Sequence, residues 1–300
     1  MEAPVWLPRT HFEQLRAGRP TPGIFPGLWS LGDLEGLRLP TVAVVGTRAA
    51  AAYGRGLAHL FALELGRAGC CILSGLALGI DAAAHEGALA AGAPTVGVLG
   101  GGHARFFPRR NRQLAERMLG AGGAVLSPFP PEHPTIPHQF LQRNGVVASL
   151  ADAVLVIEAP ARSGALNTAS WAAGHVPVLA VPGDVDRPQV AGCHALIRDG
   201  ATLVRDAADV LAELGIAAPP NARVTRKRAR AAERNDPLER AIVRELRAGE
   251  RAIDELVNRI EPQAARVLAA LAMLELDGLV ERRDGTRYAL KPALADATLP

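Results

Sequence analysis

Short apolar runs, each ending at glycine or another small residue and each followed by a helical stretch, limit most strongly what this chain can fold into. Val42-Ala43-Val44-Val45 stops at Gly46, and a helical stretch follows over 53–67. Cys70-Cys71-Ile72-Leu73 stops at Ser74-Gly75, with a helix running through Ala91. The run 95–99 stops at Gly100-Gly101-Gly102, and 111–119 is helical. Further runs at 124–126, 153–157, 178–181 and 201–204 alternate with helical stretches at 144–150, 164–174, 192–198 and 206–214. Apolar runs without polar alternation fit strands covered on both faces, and their alternation with helices builds a parallel sheet. The seven runs therefore predict one α/β domain with a doubly wound parallel sheet. Right-handed crossovers bring every strand's C-terminal end to one edge, where open α/β sheets carry their ligand crevice.

This domain spans 41–215. Residues 1–40 are rich in Pro and Gly (Pro20, Pro22, Gly23, Pro26, Gly27) and read as a short irregular N-terminal extension. Residues 216–236 form a basic linker, with Arg223, Arg226, Lys227, Arg228, Arg230 and Arg234 against Glu233. It reads as a solvated tether in preference to a phosphate grip. Residues 237–292 form a separate unit. Leu238, Ile242, Val243 and Leu246 share one helical face, and 252–260 is a second helix. Pro262 opens a third, ending at Asp277, and two strands flank Asp284-Gly285, a hairpin signal. Three helices followed by a hairpin is the order of a winged helix.

Composition removes several classes. Of 300 residues, 49% are hydrophobic and 21% charged, too apolar for a disordered chain. The longest stretch free of charge and His, 87–102, is short for a membrane span and broken by Gly and Pro. The start Met1-Glu2-Ala3-Pro4 does not resemble a secretory leader. Cys70, Cys71 and Cys193 show no paired spacing and suit a reducing, cytoplasmic setting. Net charge is +3, and Lys occurs only at 227 and 291. The Arg bias accompanies an Ala bias and reads as compositional, so a nucleic-acid argument rests on particular positions.

Three loops fall at the predicted crevice edge. Gly46-Thr47-Arg48 ends a strand, with Thr47 placed to offer its hydroxyl and N–H and Arg48 to fork onto a phosphate. Ser74-Gly75 opens a loop that closes at Gly79-Ile80-Asp81, where Asp81 reads as a helix N-cap ahead of a catalytic acid. Arg162-Ser163-Gly164 leads into a helix. Each loop alone is an ordinary turn, but three on one edge favour an anion site. Neither a dinucleotide fingerprint nor a phosphate-binding P-loop occurs, no Ser sits in a nucleophile elbow, and the His residues lack metal spacing. No cofactor or metal is expected. Phe140 and Arg143-Asn144, at a helix start after a Pro-rich loop, pair an aromatic with a cation, as single-strand binders do. Residue type supports a core plug at Phe140 equally well.

The segments VAVVGTR, SGLALGIDAAAH, FPRRNRQLAERM, PFPP, F-x-x-RN, DAVLVIEAPARSGALNTA, AVPGD and GCHALIRDGA occur in one order over 42–214. Together they resemble the DprA/Smf family of DNA-processing proteins of natural transformation, and the tail resembles the winged helix many members carry. The resemblance implies an extended Rossmann fold without catalytic activity. It implies a homodimer that binds single-stranded DNA, protects incoming strands coated with single-strand-binding protein, and loads the recombinase RecA onto them. Matched by motif, the DNA contacts are Gly46, Thr47, Arg48, Ser74, Gly75, Phe140, Arg143 and Asn144, with Ser163 and Gly164 nearby. The family usually carries Ser at Thr47 and basic residues at Leu78, near Gln142 and at Gly145. Fewer phosphate contacts, and a shallower salt dependence of binding, follow. The rival class is a Rossmann-type nucleotide phosphoribohydrolase, whose loop carries a catalytic Glu. Here that loop reads 163–170 without an acid, and Glu158 precedes it.

Overall fold

The computed structural model describes residues 3–19, 21, 25–217, 237–260, 263–276, 279–283 and 286–290. The linker arginines, Pro262, Asp277 and the Asp284-Gly285 turn lie outside the described residues. The chain divides into two compact units, 1–222 and 223–300.

The larger unit is built on one sheet. Its strands are β1 (Val5–Pro8), β2 (Gly27–Gly32), β3 (Thr41–Val45), β4 (Cys71–Ser74), β5 (Thr95–Val98), β6 (Ala124–Ser127), β7 (Ala153–Val156), β8 (Val178–Ala180) and β9 (Thr202–Leu203). They lie in the order β1-β2-β6-β5-β4-β3-β7-β8-β9. β3 to β9 are the seven predicted strands, and every pairing among them is parallel. The Rossmann-like doubly wound reading holds.

Both faces of the sheet are covered, which is why its strands lack polar alternation. Along β3, Ala43 and Val45 enter one core with Val154 and Val156 of β7, while Val42 and Val44 enter the other with Ala153 and Leu155. Helices α1 (Arg9–Leu15), α5 (Gln139–Ser149), α6 (Gly164–Ala172) and α7 (Ala191–Arg198) cover the first face. Helices α2 (Ala52–Arg67), α3 (Ile80–Ala90) and α8 (Ala207–Glu213) cover the second, and α4 (Arg112–Gly120) closes a satellite core around Met118. The chain crosses β3 between β6 and β7, so the winding reverses at the β3/β7 pair, the position where such sheets open a crevice.

The irregular reading of residues 1–40 is corrected. β1 and β2 pair antiparallel, and β2 pairs antiparallel with β6, extending the sheet at that edge. Phe12 and Phe25 meet edge to face inside the main core. Arg16 is fully buried, donates to the Leu150 and Ala151 carbonyls, and meets Asp152 at 2.7 Å. Arg19 reaches the other Asp152 oxygen at 2.6 Å, and that oxygen also accepts from Thr41 N–H. Non-local pairing, not local periodicity, orders this segment.

The smaller unit contains α9 (Pro237–Arg247), β10 (Arg251–Ala252), α10 (Ile253–Arg259), α11 (Ala264–Leu276), β11 (Val280–Arg283) and β12 (Arg287–Leu290). β10 joins the hairpin in a three-stranded sheet ordered β10-β12-β11, and so takes the place of the predicted helix start at Ala252. Leu238, Ile242 and Leu246 are buried with Leu256, Leu271 and Tyr288, as the helical face predicts. No helix among the described residues is long and apolar enough to cross a membrane.

Candidate nucleic-acid interface

At the C-terminal ends of β3 and β7 a crevice of about 350 Å³ opens. Every predicted site residue lines it except Ser74. Ser74 is buried and its hydroxyl donates to the Val44 carbonyl at 2.6 Å, so the expected contact is corrected to a link between β4 and β3.

The first loop turns outward directly after β3. A Cβ on Gly46 would lie 2.5 Å from Ile80 and 2.8 Å from the Glu158 carbonyl, so only glycine passes there. Thr47 N–H donates to Glu158 O at 2.7 Å, which corrects the expectation that it faces a ligand. The Thr47 hydroxyl accepts from Ala49 N–H at 3.2 Å, a local turn that leaves Arg48 exposed. The Arg48 guanidinium lies 4.5 Å from the centroid of the Phe140 ring.

The second loop is clamped from two sides. The Asp81 carboxylate accepts from Gly75 N–H at 3.1 Å and Ala77 N–H at 3.3 Å. Asp81 thus sits inside the first turn of α3 and holds the loop, while Gly79 occupies the N-cap. Asn111 donates to the Leu76 carbonyl at 2.8 Å and the Ala77 carbonyl at 3.0 Å. This clamp holds Leu76 at φ +55°, a left-handed conformation rare for leucine. Neither Asn111 nor the Leu76 conformation carries a local sequence signal.

α5 begins at Gln139, five residues before the predicted start at Asn144, and so carries the aromatic–cation pair on its first turns. Arg143 is 3% exposed, donates to the Val98 carbonyl at 3.2 Å and lies 3.9 Å from Asp81. It forms the crevice floor rather than a projecting phosphate fork. Burial lowers its pKa to about 10 and raises that of Asp81. A Cβ on Gly75 would fall 1.3 Å from Arg143 Nη1, so the guanidinium occupies the space that glycine leaves. Asn144 donates to the Gly164 carbonyl at 3.0 Å and Asn167 Oδ1 at 3.3 Å, bracing the third loop. Ser163 caps α6 by accepting from Ala165 N–H at 3.2 Å, and Gly164 is exposed at the mouth. Phe140 is half-buried against Gly100 and belongs to neither main core, so it is not the core plug.

Of the positions where basic residues are missing, Leu78 and Gln142 are exposed, but Gly145 is buried within α5. Glu158, the strand-end carboxylate that precedes the third loop, is 1% exposed, pairs with Arg187 at 2.7 Å and does not line the crevice.

Residues 14–215 match the family described as DNA recombination-mediator protein A, and 226–286 match the DprA winged helix domain. A Mycobacterium tuberculosis relative is 40% identical over 275 residues, covering 90% of this chain and 70% of its own. Protein Smf of Escherichia coli is 41% identical over 192 residues, covering 63% of this chain and 51% of its own. The X-ray structure of DNA processing protein A from Streptococcus pneumoniae superposes with a TM-score of 0.59 at 39% identity, covering 63% of this chain and 66% of that one. The Helicobacter pylori DNA processing protein A, whose structure addresses its single-stranded DNA binding mode, superposes equally well at 26% identity, covering 70% of this chain and 95% of that one. With its motifs, its sheet and its winged helix all in agreement, the chain belongs to the DprA/Smf family of DNA-processing proteins.

Proposed function

We propose that the crevice binds single-stranded DNA without a cofactor, and that the protein is a recombination mediator rather than an enzyme. The observation that carries this reading is the exposed Arg48 guanidinium beside Phe140 at the switch point of the sheet. A base stacks on the ring and a phosphate meets the cation, a combination that holds single strands without reading their sequence. The single-strand binding addressed in the Helicobacter pylori relative supports it. Anisotropy titration with labelled oligo-dT and with duplex of equal length tests it. Tighter binding of the single strand is expected, and equal affinity for both refutes it.

Protection of incoming DNA and loading of RecA onto strands coated with single-strand-binding protein during natural transformation, and a cytoplasmic homodimer, rest on family membership. The fold supports the dimer in one respect. β9 closes the parallel sheet at an edge, and its Leu203 is 44% exposed. An exposed edge strand is covered when two subunits pair. Sedimentation at micromolar concentration tests the dimer directly, and a monomeric mass refutes it.

A further inference from the structure

Beyond Phe140 the aromatic surface continues. Phe107 is 49% exposed, and its ring centroid lies 6.3 Å from that of Phe140. The two planes are tilted by 58°, so the rings present their faces to different occupants rather than sandwiching one. Phe107 leads into the single turn Arg109–Asn111, which is fixed from beneath because buried Asn111 grips the Leu76 and Ala77 carbonyls. Arg109 and Arg110 on this fixed turn are exposed.

The neighbouring cations are neutralised. Arg105 faces Glu132 at 3.7 Å, Arg112 faces Glu116 at 3.4 Å and Arg117 pairs with Glu86. Among the described residues, neither Arg109 nor Arg110 has a carboxylate within ion-pair reach. A solvent-facing phenyl ring beside two unneutralised guanidiniums suits a ligand that carries both flat apolar faces and repeated negative charge. Single-stranded DNA has both, whereas a duplex keeps its base faces stacked.

We propose that Phe107, Arg109 and Arg110 form a ledge that carries the single strand onward from the crevice, with Phe107 stacking a second base and the two arginines meeting its phosphates. This rests on the single-strand reading of the crevice. It makes the ledge a determinant of how long a strand the protein prefers, because a short oligomer fills the crevice and a longer one reaches both.

Anisotropy titrations with oligo-dT of ~5 and ~20 nucleotides across a salt series test the ledge. The variant carrying Arg109→Ala and Arg110→Ala lowers the salt slope on the long oligomer by about 1.4, at about 0.7 per phosphate. It also reduces the long-to-short affinity ratio roughly a hundredfold, the loss of two charge-assisted contacts. Phe107→Ala reduces the same ratio with the slope retained, and Arg109→Lys with Arg110→Lys restores the slope because charge alone displaces counterions. An unchanged ratio and slope in the first variant, or equal losses at both lengths, overturns the ledge while leaving the crevice reading intact if Arg48→Ala still weakens binding. Absence of wild-type binding to either oligomer overturns both.

Discussion

The Arg48 guanidinium lies 4.5 Å from the centroid of the Phe140 ring, so in the free protein the candidate phosphate fork covers the candidate stacking platform. Such an exposed cation–π contact is worth about 0.5–1 kcal/mol, less than the ~1–3 kcal/mol a stacked base contributes. On the proposed single-strand reading, a strand displaces the cation from the ring and receives it at a phosphate.

The two residues separate in their salt response. Arg48→Ala is expected to cost roughly 1.5–3 kcal/mol of single-strand affinity and to lower the salt slope by about 0.7. Phe140→Ala is expected to weaken binding with the slope kept, because stacking releases no counterion. Titration at several salt concentrations distinguishes them. A Phe140→Ala variant that binds normally sinks the stacking role.

Gly75 and Arg143 form one unit. In Gly75→Ala the new Cβ displaces the guanidinium from the Val98 carbonyl and from Asp81. Breaking a buried charge's contacts is expected to cost about 3–5 kcal/mol. In an Arg143→Ala background the same substitution costs far less, since its obstacle is gone. A double-mutant cycle by urea unfolding reads this coupling, and additive costs refute it.

Asp152 sets the stability of the N-terminal segment. Asp152→Ala leaves the fully buried Arg16 without its carboxylate, again at about 3–5 kcal/mol. Burial already lowers the Arg16 pKa against the pull of Asp152. Urea unfolding of the variant checks this, and a loss below ~1 kcal/mol means the clasp is incidental.

A pH dependence follows from His85. The Thr95 hydroxyl donates to the Ile72 carbonyl at 2.8 Å, so it accepts from His85 Nδ1–H at 2.7 Å. Nε2 is the bare nitrogen, buried without a partner among the described residues, and burial lowers the His85 pKa to about 3. The unfolded chain takes up this proton near pH 6.5 and the folded one only near about 3. Stability is therefore complete above pH 6.5 and falls as pH drops through that window, by at most about 1.4 kcal/mol per pH unit. His85→Asn keeps a donor toward Thr95 but does not titrate, so its unfolding free energy is expected to decline less from neutral to acidic pH. Equal declines in both proteins refute the assignment.

The parallel sheet was legible because all seven of its strands run as apolar stretches, and the crevice because crossover handedness sends Gly46, Gly75 and Ser163 to one edge. β1 and β2 were not, since β2 is ordered by a partner strand about 95 residues away in sequence, β6, and β1 by β2. Within the site, residue types were legible and directions were not. Ser74 and Arg143 carry the right chemistry but turn toward Val44, Val98 and Asp81, a matter of strand register and helix phase. The wing arginines show the same limit. Arg282 donates to the Tyr288 hydroxyl, Arg287 pairs with Glu250 and Arg283 with Glu281, so these charges are engaged within the smaller unit, which their residue type alone does not show.

The clasp of Arg16 and Arg19 on Asp152 ties the starts of β3 and β7 together, at the end of the strands opposite the crevice. The two strands beneath the groove, paired along their whole length, are thus also riveted at their far ends and do not hinge apart like the covers of a book. Whatever enters must be accommodated by the swing of side chains such as Arg48 over a stiff frame. Entry then leaves the backbone's freedom nearly unchanged, and the groove meets its guest already shaped.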